Sequence, residues 1–153
     1  MIVIDTNALI VLIIGSMDVG LLKSHKRTSI YEEEDFYNLL EVVHDIRELL
    51  VLPNVWTETD NLLNDFSGNY KYPYILKLTE LLKATCEKYI ESIDATLSES
   101  FFDLGLTDSL ILDCAKDCKM LITSDSKLSD YATARNIKVY DMVRARNDRF
   151  TYY

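Results

Sequence analysis

Ile2, Val3 and Ile4 form an unbroken apolar run that stops at Asp5, and apolar residues resume from Ala8 to Ile14. An apolar run of this kind predicts a strand covered on both faces. The second run predicts a helix over 6–14 that ends near Gly15. Residues 15–31 keep no period and predict a loop with one helical turn. Ser29 and Glu32 have capping-box spacing, and Phe36, Leu39, Leu40, Val43, Ile46 and Leu50 follow at helical intervals. The acidic run 32–35 then reads as a solvated helix start, where negative charge suits the helix dipole.

Val51, Leu52 and Pro53 predict a short strand, and Asn54 an N-cap for a helix over 55–65. A turn at 68–73 leads to a helix over 74–89 with Ile75, Leu78, Leu81 and Leu82 as its stripe, whereas 89–97 stays ambiguous between strand and helix tail. Thr107 predicts the N-cap of a helix over 108–119. Met120, Leu121 and Ile122 read as a second buried strand, 126–135 as a helix and 137–140 as a last strand. Strands alternating with helices predict one α/β domain over 1–153, a three-layer α/β/α sandwich on a mostly parallel sheet.

Composition narrows the class. A 48% apolar and 27% charged chain is ordinary for a globular protein, but its net charge of −9 is not. That charge argues against a protein that holds nucleic acid by bulk electrostatics, while leaving room for a local basic groove. Basic residues gather at Lys23, His25, Lys26 and Arg27 within the 15–31 segment. They gather again over 135–153, with five Lys or Arg against two Asp. Three cysteines without framework spacing predict reduced thiols and a cytoplasmic protein; Cys114 and Cys118 read as small packed residues rather than ligands. The apolar start is not a signal peptide, since Asp5 interrupts it and no basic residue precedes it. No run approaches the roughly 20 residues that span a bilayer.

The chemistry lies at the strand ends. In open α/β sheets, ligands sit beyond the carboxyl ends of strands. Asp5 and Asp125 each end an apolar strand, Glu58 lies early in a helix that follows one, and Asp108 opens another helix, so all four can share one sheet edge. Each has a bland alternative: Asp125 as an N-cap, Asp108 as a favourable helix-start charge, Glu58 as a surface glutamate. Asp5 resists one, because a buried acid is costly unless paired or liganded. Two like charges 4 Å apart repel by about 4 kcal/mol at an effective dielectric near 20. Four such groups therefore need a cation, and oxygen-only donors suit Mg²⁺ or Mn²⁺. The two histidines and three cysteines offer no zinc spacing.

Four stretches carry a resemblance: IVIDTNALI at the start, VWTETDNLL around Glu58, GLTDSLIL around Asp108 and LITSDSKLSDYA around Asp125. In this order, spread over nearly the whole chain, they resemble the PIN-domain ribonucleases, the family that includes the VapC toxins of bacterial toxin–antitoxin pairs. The resemblance implies that Asp5, Glu58, Asp108 and Asp125 are the metal-binding set, with Asn7 and Thr123 as supporting polar residues. The long basic segment 15–31 departs from the compact toxin pattern.

The expected activity is hydrolysis of RNA phosphodiester bonds by one or two Mg²⁺ or Mn²⁺ ions. Lys26, Arg27, Arg144 and Arg146 are candidate phosphate contacts. Tyr140, Phe150, Tyr152 and Tyr153 are candidates for stacking on bases or for packing. Expected partners are RNA, an antitoxin protein and a second copy of the chain, with no membrane. A different class of reading is a catalytically silent PIN-like module that binds a protein partner. A receiver-like phosphoryl-transfer domain is a third, with Lys127 near the place such a domain needs a lysine.

Overall fold

The computed structural model describes residues 1–152. Its centre is a five-stranded sheet in the order β3-β2-β1-β4-β5, every neighbouring pair parallel. The strands are β1 (Ile2–Ile4), β2 (Leu49–Val51), β3 (Cys86–Glu87), β4 (Met120–Thr123) and β5 (Val139–Asp141). In register, Val3 lies beside Leu50 and Leu121, and Thr123 beside Asp141. Parallel strands need crossovers, and helices supply them.

Helix α1 (Thr6–Met17) is the apolar centre of one layer, with every residue from Ala8 to Ile14 fully buried. A helix apolar on all sides is a buried helix, and α1 packs against α2 (Leu21–Ser24), α3 (Glu33–Val43), α4 (Pro53–Leu63) and α5 (Lys71–Ala84). The remaining helices are α6 (Ser92–Ala95), α7 (Phe101–Ala115), α8 (Ser126–Ala134) and α9 (Met142–Thr151). Helix α7 packs on α6, α8 and β1, and α9 packs on α3. The result is a three-layer α/β/α sandwich.

Gly15 shows how closely the layers meet. A Cβ built there lies 2.7 Å from Phe36 Cγ and closer still to its ring edge, and Phe36 is buried. Gly15→Ala is therefore expected to cost about 1–3 kcal/mol by overpacking. A thermal melt that does not move would show that the ring swings aside freely.

Several boundaries differ from the sequence expectation. The helix expected to run to Leu50 stops at Val43, because His44 turns the chain at φ 56°, and Leu49 and Leu50 enter β2 instead. The capping box is made by Glu32 and Asp35, with the Glu32 N–H donating to Asp35 Oδ2 at 2.8 Å, not by Ser29 and Glu32. Helix α4 starts at Pro53, whose missing N–H is harmless at a helix start, so Asn54 is inside the helix rather than its cap. The stripe of α5 is Tyr74, Leu78 and Leu81, whereas Ile75 and Leu82 face out. The ambiguous stretch 89–97 follows β3 and contains α6. No period announced α9.

Candidate metal centre

The sheet brings the four strand-edge acids to one place. Asp5, Glu58, Asp108 and Asp125 all line a cleft of about 340 Å³, together with Thr6, Asn7, Leu104, Leu106 and Thr107. They arrive from four separate elements: the end of β1, the middle of α4, the second part of α7 and the turn after β4. No lysine, arginine or histidine lines this cleft among the described residues. A larger cleft of about 870 Å³ lies elsewhere, around Tyr89, Leu97, Cys114 and Arg135, and its lining mixes both signs of charge. Charge, not size, singles out the smaller one.

Asp5 is 3% exposed and held from three sides. Its Oδ1 accepts the Ala8 N–H at 2.7 Å, which caps α1. Its Oδ2 accepts the Thr123 hydroxyl and the Ser124 N–H, the latter at 3.1 Å. Two donors occupy both lone pairs of Oδ2, so Oδ1 keeps the one lone pair free for a further ligand. Burial outweighs these hydrogen bonds and pushes the Asp5 carboxyl up to about 6.

Thr123 is the hinge of this arrangement. Its hydroxyl oxygen also accepts the Asp125 N–H at 2.9 Å, so one buried side chain sets the positions of two acids. Asp125 caps α8 by accepting the Leu128 N–H at 2.8 Å through Oδ1. The N-cap reading of Asp125 is thus correct, and it coexists with a place in the cleft because Oδ2 is left over. Glu58 accepts the Thr6 hydroxyl at 3.2 Å.

Asp108 lies three residues beyond Gly105, whose φ of 77° and ψ of −171° belong to a region only glycine adopts readily. That break ends one short helical turn and starts the helix carrying Asp108. Its carboxyl is pushed up to about 7, first by burial and then by Asp125, Asp5 and Glu58. Asp108 therefore feels the other three acids across the cleft.

Asn7 is exposed on the cleft wall. The proposed phosphate contacts are elsewhere. Lys26 lies 3.9 Å from Asp65, and Arg27 is exposed near His25. Arg144 lines a separate cleft beyond β5 and lies 3.6 Å from Asp130. Arg146 donates to the Ile30 carbonyl at 2.6 Å and stacks on Phe150 at 5.0 Å, which ties α9 to the 15–31 segment. Arg149 stacks on the same ring at 4.7 Å. Tyr140 is half-buried, Tyr152 is exposed, and Tyr153 lies outside the described residues. Thr107, expected to cap a helix over 108–119, lies inside α7 and lines the cleft instead, while Thr6 and Ser124 escaped sequence reasoning. Their only signal was adjacency to an acid.

The donors fit a hard divalent cation in kind: oxygen only, anionic, with no competing basic group. In placement they are open. Among the described residues, no three acidic, histidine or cysteine side chains stand close enough to enclose an ion unaided. Mg²⁺ keeps several waters in its shell, so it needs few direct protein ligands.

No helix among the described residues is long and apolar enough to cross a membrane. Compared with known proteins, the chain matches no family model, and no curated protein matches it.

Proposed function

We propose that the protein is a divalent-metal-dependent endoribonuclease of the PIN type. One observation carries the reading: four carboxylates from four elements line one cleft that, among the described residues, holds no basic side chain. The resemblance of the motifs around those acids supports it. Asp5, Asp108, Asp125 and Glu58 would hold one or two Mg²⁺ or Mn²⁺ ions, with Asp5 ligating through Oδ1 and Thr123 keeping its other oxygen turned away. The metal would supply a water of lowered pKa and stabilise charge on the attacked phosphate. Thr123 orients Asp5 and Asp125, and Thr6 steadies Glu58. Leu104 and Leu106 give the cleft an apolar wall.

Single-stranded or looped RNA suits a cleft of this size better than a duplex. A cytoplasmic setting belongs to the same proposal, in keeping with three unpaired thiols. So does the role of toxin in a toxin–antitoxin pair, with a protein covering the cleft or a second copy beside it. A second reading is a catalytically silent PIN-like module that binds a protein partner.

Labelled single-stranded RNA with Mn²⁺ separates the two. Cleavage is expected to vanish with EDTA and to fall on the order of 100-fold or more in Asp5→Asn, about 3 kcal/mol of transition-state stabilisation. Activity that survives both treatments discards the metal mechanism. No cleavage of several RNAs, with no Mn²⁺-dependent rise in melting temperature, favours the silent module.

A further inference from the structure

Helix α5 carries two apolar stripes, and the core uses only one. Tyr74, Leu78 and Leu81 face inward, and the Tyr74 hydroxyl donates to Asp60 on α4 at 2.6 Å. Adjoining that stripe, on the side open to solvent, stand Tyr72, Ile75, Thr79 and Leu82, spaced three, four and three residues apart, with Leu76 beside them. Tyr72 is 74% exposed, Ile75 43%, Leu76 46% and Leu82 44%. Alternating steps of three and four make the seam by which one helix packs along another. A lone exposed leucine needs no explanation; a seam running the length of a 14-residue helix does.

Charge selects what lies on it. Helix α5 has Lys71, Lys77 and Lys83 against Glu80, a local +2 on a chain of −9. Lys77 is bound to Glu80 at 2.7 Å, so the uncompensated charges are Lys71 and Lys83, one at each end of the seam. Among the described residues Lys71 meets no carboxylate: it donates to the Asn64 carbonyl at 3.3 Å and lies 5.9 Å from the centre of the Tyr74 ring. A second copy packed antiparallel on this seam would set Tyr72 against Leu82 and Ile75 against Thr79. It would also set Lys71 against Lys83 at both ends. Like charges facing each other oppose that pairing. Charges within about 8 Å govern such a contact rather than the net charge of the chain.

We infer that the outer face of α5 is a docking surface for a helix of another protein, one with an apolar seam flanked by acidic residues. This surface is separate from the acidic cleft and stands whether or not the cleft cleaves RNA.

The test uses the full chain and two labelled helical peptides of about three heptads. Both have leucine along the seam; one is flanked by glutamate and the other by lysine. Fluorescence anisotropy is expected to show the glutamate peptide binding at least tenfold more tightly. The double substitution Ile75→Ser with Leu82→Ser is expected to weaken it tenfold or more, with an unchanged far-ultraviolet circular dichroism spectrum showing that the chain still folds. Equal affinity for the two peptides, no binding of either, or binding indifferent to the double substitution overturns the inference. A concentration-dependent dimer that the same double substitution abolishes overturns it in favour of a second copy.

Discussion

Asp108→Asn is expected to make the metal-free protein more stable and to abolish its cleavage of RNA. The Asp108 carboxyl is raised from its ordinary 3.8 to about 7, and that of Asp5 from 3.8 to about 6. A raised carboxyl means that the folded chain holds protons which the unfolded chain has already released. Stability is therefore fully present near pH 4 and is lost as the pH climbs through 6 and 7. For Asp108 the whole shift corresponds by linkage to about 4 kcal/mol. The carboxyl is partly open to water, whose screening reduces the expected gain of Asp108→Asn at pH 8 to about 1–2 kcal/mol. Near pH 4 the substitution should be almost neutral, because there the native carboxyl is already uncharged.

Mn²⁺ should restore stability to the native protein at pH 8 and do much less for the variant. Denaturant titrations at the two pH values, with and without Mn²⁺, measure all four quantities. If Asp108→Asn destabilises at pH 8, the carboxylates are not held against one another as described. Cleavage should fall on the order of 100-fold or more in the same variant, about 3 kcal/mol. A site destabilised for its function gains stability when disarmed.

Arg149→Ala is expected to produce the largest loss of stability among single changes away from the core. The Arg149 guanidinium donates to Asp35 and Glu34 at 2.9 Å each and to Glu32 at 3.4 Å. Its side chain is 13% exposed and that of Asp35 only 6%. Removing the arginine leaves Asp35 buried without its countercharge. Breaking a buried pair costs about 3 kcal/mol at the low end, the appropriate end because Glu34 is open to solvent. At roughly 2–4 °C per kcal/mol the melting temperature should drop by about 6–12 °C. Adding Asp35→Asn to Arg149→Ala should recover part of the loss, since the asparagine is neutral. A drop below about 1 kcal/mol would mean that α9 is attached by surface ion pairs only.

This pair also corrects the sequence reading of residues 32–35. First-turn acids read as a solvated helix start, and for Glu33 and Glu34 that is right. Asp35 is buried, and the reason lies over a hundred residues away in a helix that the pattern did not reveal. Helix α9 is mostly polar, with only Met142 buried, so no apolar stripe marks it. It is fixed instead by Asp141 accepting the Arg144 N–H at 2.9 Å and by the arginines on its faces.

Of the candidate site, the acids were legible because an acid ending a buried strand violates the local pattern. Asp5 and Asp125 follow apolar triplets, and a parallel sheet puts such ends on one edge. The basic residues were not legible, because Lys26, Arg27, Arg144 and Arg146 are ordinary surface residues by pattern. Whether a long flexible cation faces a cleft, an aspartate or a carbonyl depends on the neighbours that folding brings.

By itself, the sequence determined the layered α/β architecture, since apolar runs separated by helical periods admit a parallel sheet with helices on both sides and little else. It also singled out Asp5 and Asp125 as acids that follow buried strands. Only the tertiary structure decided that Thr123 joins two of those acids, that Arg149 covers Asp35, and which of the two stripes on α5 is buried. Periodicity records how apolar each helix face is. Which face meets the core, and which charge meets which, depends on contacts between residues far apart in the chain.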